Sequence, residues 1–226
     1  MTPPAKTLSA ASMAVRTAIV LFVFVVAFTG LLAAVHMATE PAIEAAATAE
    51  KMKLIGEVLP RDVYDNDLLN DQRQLAPSAE LGLDEPSVAY LARQGGNASA
   101  LVFEAVAPDG YSGPIRLLIA VAADGRLLGV RVTRHRETPG LGDYIDPRKD
   151  KNKQRPWISQ FDGLSLAGVP DHEWGVRKDR GRFDSLAGAT VTPRAVIKAV
   201  HKALQYVAEN RRQLFELPAA SQGESS

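Results

Sequence analysis

Residues 115–133 read IRLLIAVAADGRLLGVRVT: two apolar runs, Ile115–Ala122 and Leu127–Thr133, on either side of Asp124-Gly125. An Asp-Gly pair between such runs predicts a two-residue β-hairpin, because aspartate tolerates and glycine favours the positive φ that tight hairpin turns require. In the second run Leu128, Val130 and Val132 alternate with Gly129, Arg131 and Thr133, which predicts one buried and one wet face. Ala100–Val106 is strand-like, and Gly175–Lys178 is a further candidate strand. Trp157, Ile158 and Phe161 predict a short amphipathic turn. Towards the C-terminus Val196, Val200, Ala203, Leu204 and Val207 fall on one face at helical spacing. Thr192-Pro193 opens that helix, threonine as cap and proline where its missing N–H has no helical partner to lose. Strands followed by a helix indicate an α+β domain, expected to span 97–209.

Upstream, Thr17–Val35 reads TAIVLFVFVVAFTGLLAAV with no charge. About 19 helical residues reach roughly 28 Å, close to the hydrocarbon thickness of a bilayer. Lys6 and Arg16 precede it without an acid, while Glu40, Glu44 and Glu50 follow. The positive-inside rule then puts residues 1–16 in the cytoplasm, a single span over 17–36, and the rest outside. A cleaved signal peptide would have a shorter apolar core and a small-x-small site, which Val35-His36-Met37 is not. Ala38–Leu59 is expected to be a helix ended by Pro60. Arg61–Gly96 is polar and expected to be irregular, with a short strand over Val88–Ala92. Residues 210–226 form the tail, expected to be disordered after Leu217.

Composition removes several function classes. The 26 basic and 26 acidic residues cancel, so nothing suggests a nucleic-acid partner. No cysteine is present, which excludes disulfides, thiolate metal sites, cysteine-ligated clusters and thioether-linked haem within the chain. His36, His135, His172 and His201 lack metal-ligand spacing, and Ser112 lacks a nucleophile elbow. His201 lies away from the apolar stripe of the last helix and is expected to be solvated. Trp157 and Trp174 read as core or rim residues. Pro147–Arg155 reads as a solvated, charge-dense loop.

One segment stands out: Asp184-Ser185-Leu186-Ala187-Gly188-Ala189-Thr190-Val191-Thr192-Pro193. Three small residues precede a helix start, where unpaired N–H groups and the positive end of the dipole favour a phosphate. Spacing alone is better explained by a strand-to-helix turn whose small residues merely permit tight packing. A second segment, His135-Arg136-Glu137-Thr138-Pro139-Gly140-Leu141-Gly142-Asp143, is a glycine-rich loop stiffened by Pro139, with exposed N–H groups. A third reads Asp109-Gly110-Tyr111-Ser112-Gly113.

Together these resemble the FMN-binding domains of the Rnf electron-transport complex and of the sodium-pumping NADH:quinone oxidoreductase. Asp-x-x-x-Gly-Ala-Thr-x-Thr is similar to their flavinylation motif, in which a flavin transferase attaches FMN through its phosphate to the threonine of Gly-Ala-Thr. Matched by position, the acceptor is Thr190, with Gly188, Ala189 and Thr192 around it. Ala187 stands where many members have serine or threonine. The resemblance implies that Glu137, Thr138, Gly140, Leu141 and Gly142, with Tyr111 and Ser112, line the flavin ring. The Asp-Gly-Tyr-Ser-Gly stretch and Thr192-Pro193-Arg194-Ala195-Val196 resemble the G subunit of Rnf more than the C subunit of the quinone reductase. The resemblance implies one relay in an inner-membrane translocase coupling ferredoxin/NAD electron flow to ion movement, its FMN domain periplasmic, its partners the other subunits, the transferase and the bilayer. A cofactor-free, membrane-tethered assembly module is the alternative from another class.

Overall fold

Alternation along the two central strands decides which residues meet. The computed structural model describes residues 10–216. In it β3 (Asn97–Ala107) and β4 (Ile115–Ala122) pair antiparallel, Phe103 opposite Ile119. β1 (Gln72–Leu75) and β2 (Ser87–Gln94) extend the sheet on one side and β5 (Leu127–Arg134) on the other, in the order β1-β2-β3-β4-β5. One face presents Leu101, Phe103, Leu117 and Ile119 to the core shared with Val196, Val200 and Leu204 of α2 (Val191–Glu209). The other presents Ala100, Val102, Leu118 and Ala120 to Ile55, Val58 and Leu59. The sheet is therefore covered on both faces, an α+β arrangement.

The helix α1 runs Ala10–Val58 with Pro41 inside it, and ends where Pro60 removes a donor. The chain divides into two units, residues 1–51 and 52–226. Within the first, Met13–Lys51 are exposed throughout. The helix is long and apolar enough to cross a membrane. Its last turn belongs to the second unit and carries the residues that pack on the sheet. The expected disorder after Leu217 and the basic flank at Lys6 lie outside the described residues.

Several details depart from the sequence reading, each for a local reason. The hairpin between β4 and β5 is one residue longer than expected. Ala122 N–H bonds Arg126 O at 2.8 Å, with Gly125 at φ 89°, so a three-residue loop replaces the two-residue turn. A register shift follows at once, pairing Ala120 with Gly129 and Val121 with Leu127. Leu128 is the extra residue and packs with the second core, not beside Val130 and Val132. The face expected to be wet is covered at Gly129, where an added Cβ would sit 2.7 Å from Val58 O.

Arg61–Gly96 contains the strand expected over Val88–Ala92, which runs Ser87–Gln94 as β2, and is less irregular than expected only in also supplying β1. A polar Gln-Arg-Gln-Leu strand carries no alternation that marks it, and Arg73, a buried arginine, bonds Asp71. Gly175–Lys178 forms no ladder strand; it gives one bridge, Val176 to Phe183, and a 3-10 turn over Arg177–Asp179. Trp157–Phe161 is the expected short turn, in 3-10 form, with Trp157, Ile158 and Phe161 buried. Arg211–Phe215 forms a short helix, α3, burying Leu214 and Phe215.

His201 is not solvated as expected. Its ring stacks on Trp174 at 4.8 Å and 4°, and its Nε2 lies 3.3 Å from Asp171 Oδ1. Trp174 arrives from a loop that no helical periodicity announces. Burial pushes the imidazole below its ordinary value, against the raising effect of Asp171.

Two outcomes follow from this packing. Gly129→Ala should destabilise the domain by about 1–3 kcal/mol, because the Val58 backbone must move to admit a methyl group. Chemical denaturation of the detergent-solubilised chain measures it; an unchanged midpoint contradicts the contact. His201, depressed when folded, holds its contribution above about pH 6.5 and loses it as pH falls, since the unfolded chain takes the proton first. His201→Gln should flatten the stability profile between about pH 7 and 5, read from thermal unfolding at stepped pH.

Candidate functional site

The three motif segments converge on one buried carboxylate. Glu137, 4% exposed, accepts from Ser112 N–H at 3.0 Å through Oε1 and from Thr192 Oγ1–H at 2.5 Å through Oε2. Its own N–H donates to His135 Nδ1 at 3.1 Å. The glycines around it leave no room for a side chain: a Cβ on Gly142 would lie 2.7 Å from both Glu137 Oε2 and Thr192 Oγ1. One on Gly110 would lie 2.2 Å from Gly113 O. Lys198 of α2 pairs with Asp109 at 2.6 Å, holding that carboxyl below its ordinary value by hydrogen bonding and charge.

The head of α2 is fastened a second time through Tyr144. Its hydroxyl donates to Ala189 O at 3.2 Å and accepts from Leu186 N–H at 3.4 Å, and burial raises its pKa. Trp157 Nε1–H donates to Asp184 O at 2.6 Å, so the motif's first residue is held by its backbone while its carboxylate pairs with Arg177 at 3.0 Å. Gly188 takes φ 83° in the tight turn closed by Ala189 N–H to Leu186 O.

The two threonines differ. The sequence makes Thr192 the expected helix cap, but α2 begins at Val191, so Thr192 lies inside the first turn, 2% exposed and bonded to Glu137. Thr190 is the boundary residue, makes no side-chain cap bond and is half-buried. Its Oγ1 accepts from Arg194 Nη1 at 3.4 Å. Of the loop residues, Gly142 is buried with Glu137, whereas Thr138, Gly140 and Leu141 are exposed. The N–H groups expected to be exposed are taken within the loop, Gly140 donating to Asp143 Oδ1 at 2.8 Å and Leu141 and Gly142 to Thr138 O at 3.1 Å. Ser112 is exposed, and its N–H is taken by Glu137.

Beyond α1, the exposed large apolar residues among those described are Tyr111, Leu141, Leu186 and Val191. Each lies on a segment fastened by Glu137 or Tyr144. Of these, Leu186 lines a cleft of about 640 Å³, together with Gly140, Tyr144, Trp157 and Phe183. The charge-dense loop expected to be a solvated excursion forms part of its wall. Its Asp150 is buried and accepts from Trp157 N–H at 2.6 Å and Asn152 N–H at 2.9 Å. Sequence reasoning missed Arg194 and Tyr144 as site residues. Arg194 is four residues after Thr190 on one helix face, a spacing that could have drawn attention to it.

Comparison with known proteins shows the family of the chain. Residues 110–205 match the FMN-binding domain family, and residues 6–58 match the RnfG N-terminal region. The chain is 50% identical over 200 residues to the G subunit of the ion-translocating oxidoreductase complex of Pseudomonas aeruginosa, covering 88% of this chain and 91% of that one. It belongs to that G-subunit family. The same-named protein of Shewanella baltica is 41% identical over 204 residues, covering 90% and 94%, and that of Vibrio atlanticus 41% over 209, covering 92% and 97%. These relatives decide between the two kinds of subunit that the motifs resemble, against the C subunit of the quinone reductase.

The site fits an FMN. A half-buried hydroxyl stands at a helix head beside a guanidinium, and Leu186 and Val191 on the same segment are exposed. Glu137→Ala leaves Ser112 N–H and the buried Thr192 hydroxyl without an acceptor and should cost about 2–5 kcal/mol. Denaturant unfolding of the unmodified protein measures it, and a loss under about 0.5 kcal/mol would show that the clamp does not hold the loops.

Proposed function

We propose that Thr190 carries FMN as a phosphoester and that this chain relays electrons within an ion-translocating oxidoreductase complex. The observation that supports it best is the contrast between the two hydroxyls of the motif. That of Thr192 is enclosed and committed to Glu137, while that of Thr190 stands at the accessible head of α2. Ester formation joins Thr190 Oγ to the flavin-side phosphorus of a flavin dinucleotide donor as its P–O–P bond breaks, a nucleoside monophosphate and the hydroxyl proton being released. A flavin transferase supplies this step. Bound FMN provides the reversible redox chemistry, and the protein provides attachment, orientation and tuning.

The residues divide into two roles in this reading. Glu137, Gly142, Thr192 and the Ser112 N–H are occupied with each other and hold the segments together. Thr138, Gly140, Leu141 and Tyr111 remain on the outside for the ring, with Gly188 and Ala189 shaping the turn beneath it. The uncovered apolar rim suits a flat aromatic system that leaves one edge open to a neighbouring protein of the complex. The N-terminus lies in the cytoplasm and the domain on the periplasmic side of the inner membrane, where a covalent bond prevents loss of the cofactor by dilution.

Thr190→Ala, expressed with a flavin transferase, should lose all in-gel flavin fluorescence under denaturing conditions, while Thr192→Ala keeps a measurable fraction. Fluorescence persisting in Thr190→Ala refutes the acceptor. The chain has no cysteine, so Glu85→Cys reports topology. A membrane-impermeant maleimide should label it in intact spheroplasts; labelling only after lysis reverses the orientation.

A further inference from the structure

Next to Thr190 a guanidinium is held in place by a carboxylate from a distant segment. Arg194 Nε and Nη2 donate to Asp179 Oδ2 and Oδ1 at 2.6 and 2.8 Å, a bidentate pair. The remaining nitrogen, Nη1, donates to Thr190 Oγ1 at 3.4 Å. Two nitrogens paired with one carboxylate orient the plane of the group and leave the third directed at the Thr190 hydroxyl.

The segment that supplies Asp179 is unusually constrained. It ends the 3-10 turn Arg177–Asp179, and Arg180 after it takes φ 67°, the one non-glycine residue at positive φ among those described. Gly181 packs so tightly that a Cβ would lie 2.1 Å from Gly175 O. An ion pair this exposed adds little to folding stability, so stability does not account for a strained, closely packed turn that presents it.

We infer that Arg194, oriented by Asp179, is the positioning residue for the phosphate esterified to Thr190. This rests on Thr190 being the acceptor. In the free protein Nη1 meets the hydroxyl oxygen. In the ester that oxygen becomes a weak acceptor, and the charged non-bridging oxygens lie one bond beyond phosphorus, within reach of Nη1 N–H. Asp179 neutralises Arg194 before attachment; afterwards the guanidinium is shared between carboxylate and phosphodiester. Lysine cannot do this, because one ammonium offers a point charge without the fixed fork.

The test uses the full chain coexpressed with a limiting flavin transferase, as wild type, Arg194→Gln, Arg194→Lys and Asp179→Asn. Intact mass over time gives the attachment rate. For protein modified to completion, the phosphorus-31 resonance of the diester and the fluorescence anisotropy of the flavin report how the phosphate is held. Arg194→Gln should slow attachment on the order of tenfold, the scale of one charge-assisted hydrogen bond, and move both spectroscopic signals towards those of a solvated diester. Asp179→Asn should do the same more weakly, and Arg194→Lys should restore only part of the rate. Unmodified variants should melt with the wild type, which separates the effect from misfolding. Wild-type signals in Arg194→Gln overturn the inference while leaving Thr190 as acceptor. A slowed rate with unchanged spectra overturns it too, assigning Arg194 to transferase docking. An unmodified wild type overturns both readings.

Discussion

A single carboxylate organises one end of this domain. Glu137 has two oxygens, and each is bound by a different part of the chain: Ser112 N–H on one, the Thr192 hydroxyl on the other. Buried carboxylates are costly unless satisfied, so the same interaction that joins the segments is the one that permits Glu137 to be inside. Gly110 and Gly142 are where they are because nothing larger leaves space for this arrangement. Three loops far apart in sequence become one surface.

The sheet supports that surface by a simpler route. Antiparallel neighbours connected in chain order leave the loop after β3 and the segment after β5 beside one another, since β3 and β5 both flank β4. The helix α2 then crosses the first core with its apolar stripe against β3 and β4, which brings its N-terminal turn to the same loops. The second face is closed by Ile55 and Val58 in the last turn of α1 and by Leu59 just after it. Covering both faces explains why the central strands carry almost unbroken apolar runs where a one-sided sheet would alternate.

Much of this is legible in the sequence wherever a residue type has one physical use. The apolar stripe of α2, the uncharged span at 17–35 and the stop at Pro60 each follow from periodicity, length or a missing donor. What escapes such reading depends on partners brought by tertiary structure. The Gln-Arg-Gln-Leu of β1 is a strand because β2 offers it a ladder, and Leu128 leaves its expected face because one extra residue enters the register. His201 is enclosed by Trp174, and the Pro147–Arg155 loop is ordered by buried Asp150, neither of which has a sequence signal. The motif segments are recognisable, but that Glu137 joins them is not: a lone glutamate in a glycine-rich loop looks like a surface residue.

The spacing of the two threonines acquires a physical meaning from this geometry. Successive residues on an α-helix are about 100° apart, so positions two apart face nearly opposite directions. At the head of α2 the second threonine therefore turns inward, where Glu137 meets it, and the first turns outward, where Arg194 meets it. Exchanging their roles would require rotating the helix by half a turn, which its apolar stripe against the sheet forbids. In the attachment proposed above, the accessible hydroxyl is the first threonine's, and the second, bonded to Glu137, holds the helix head beneath it.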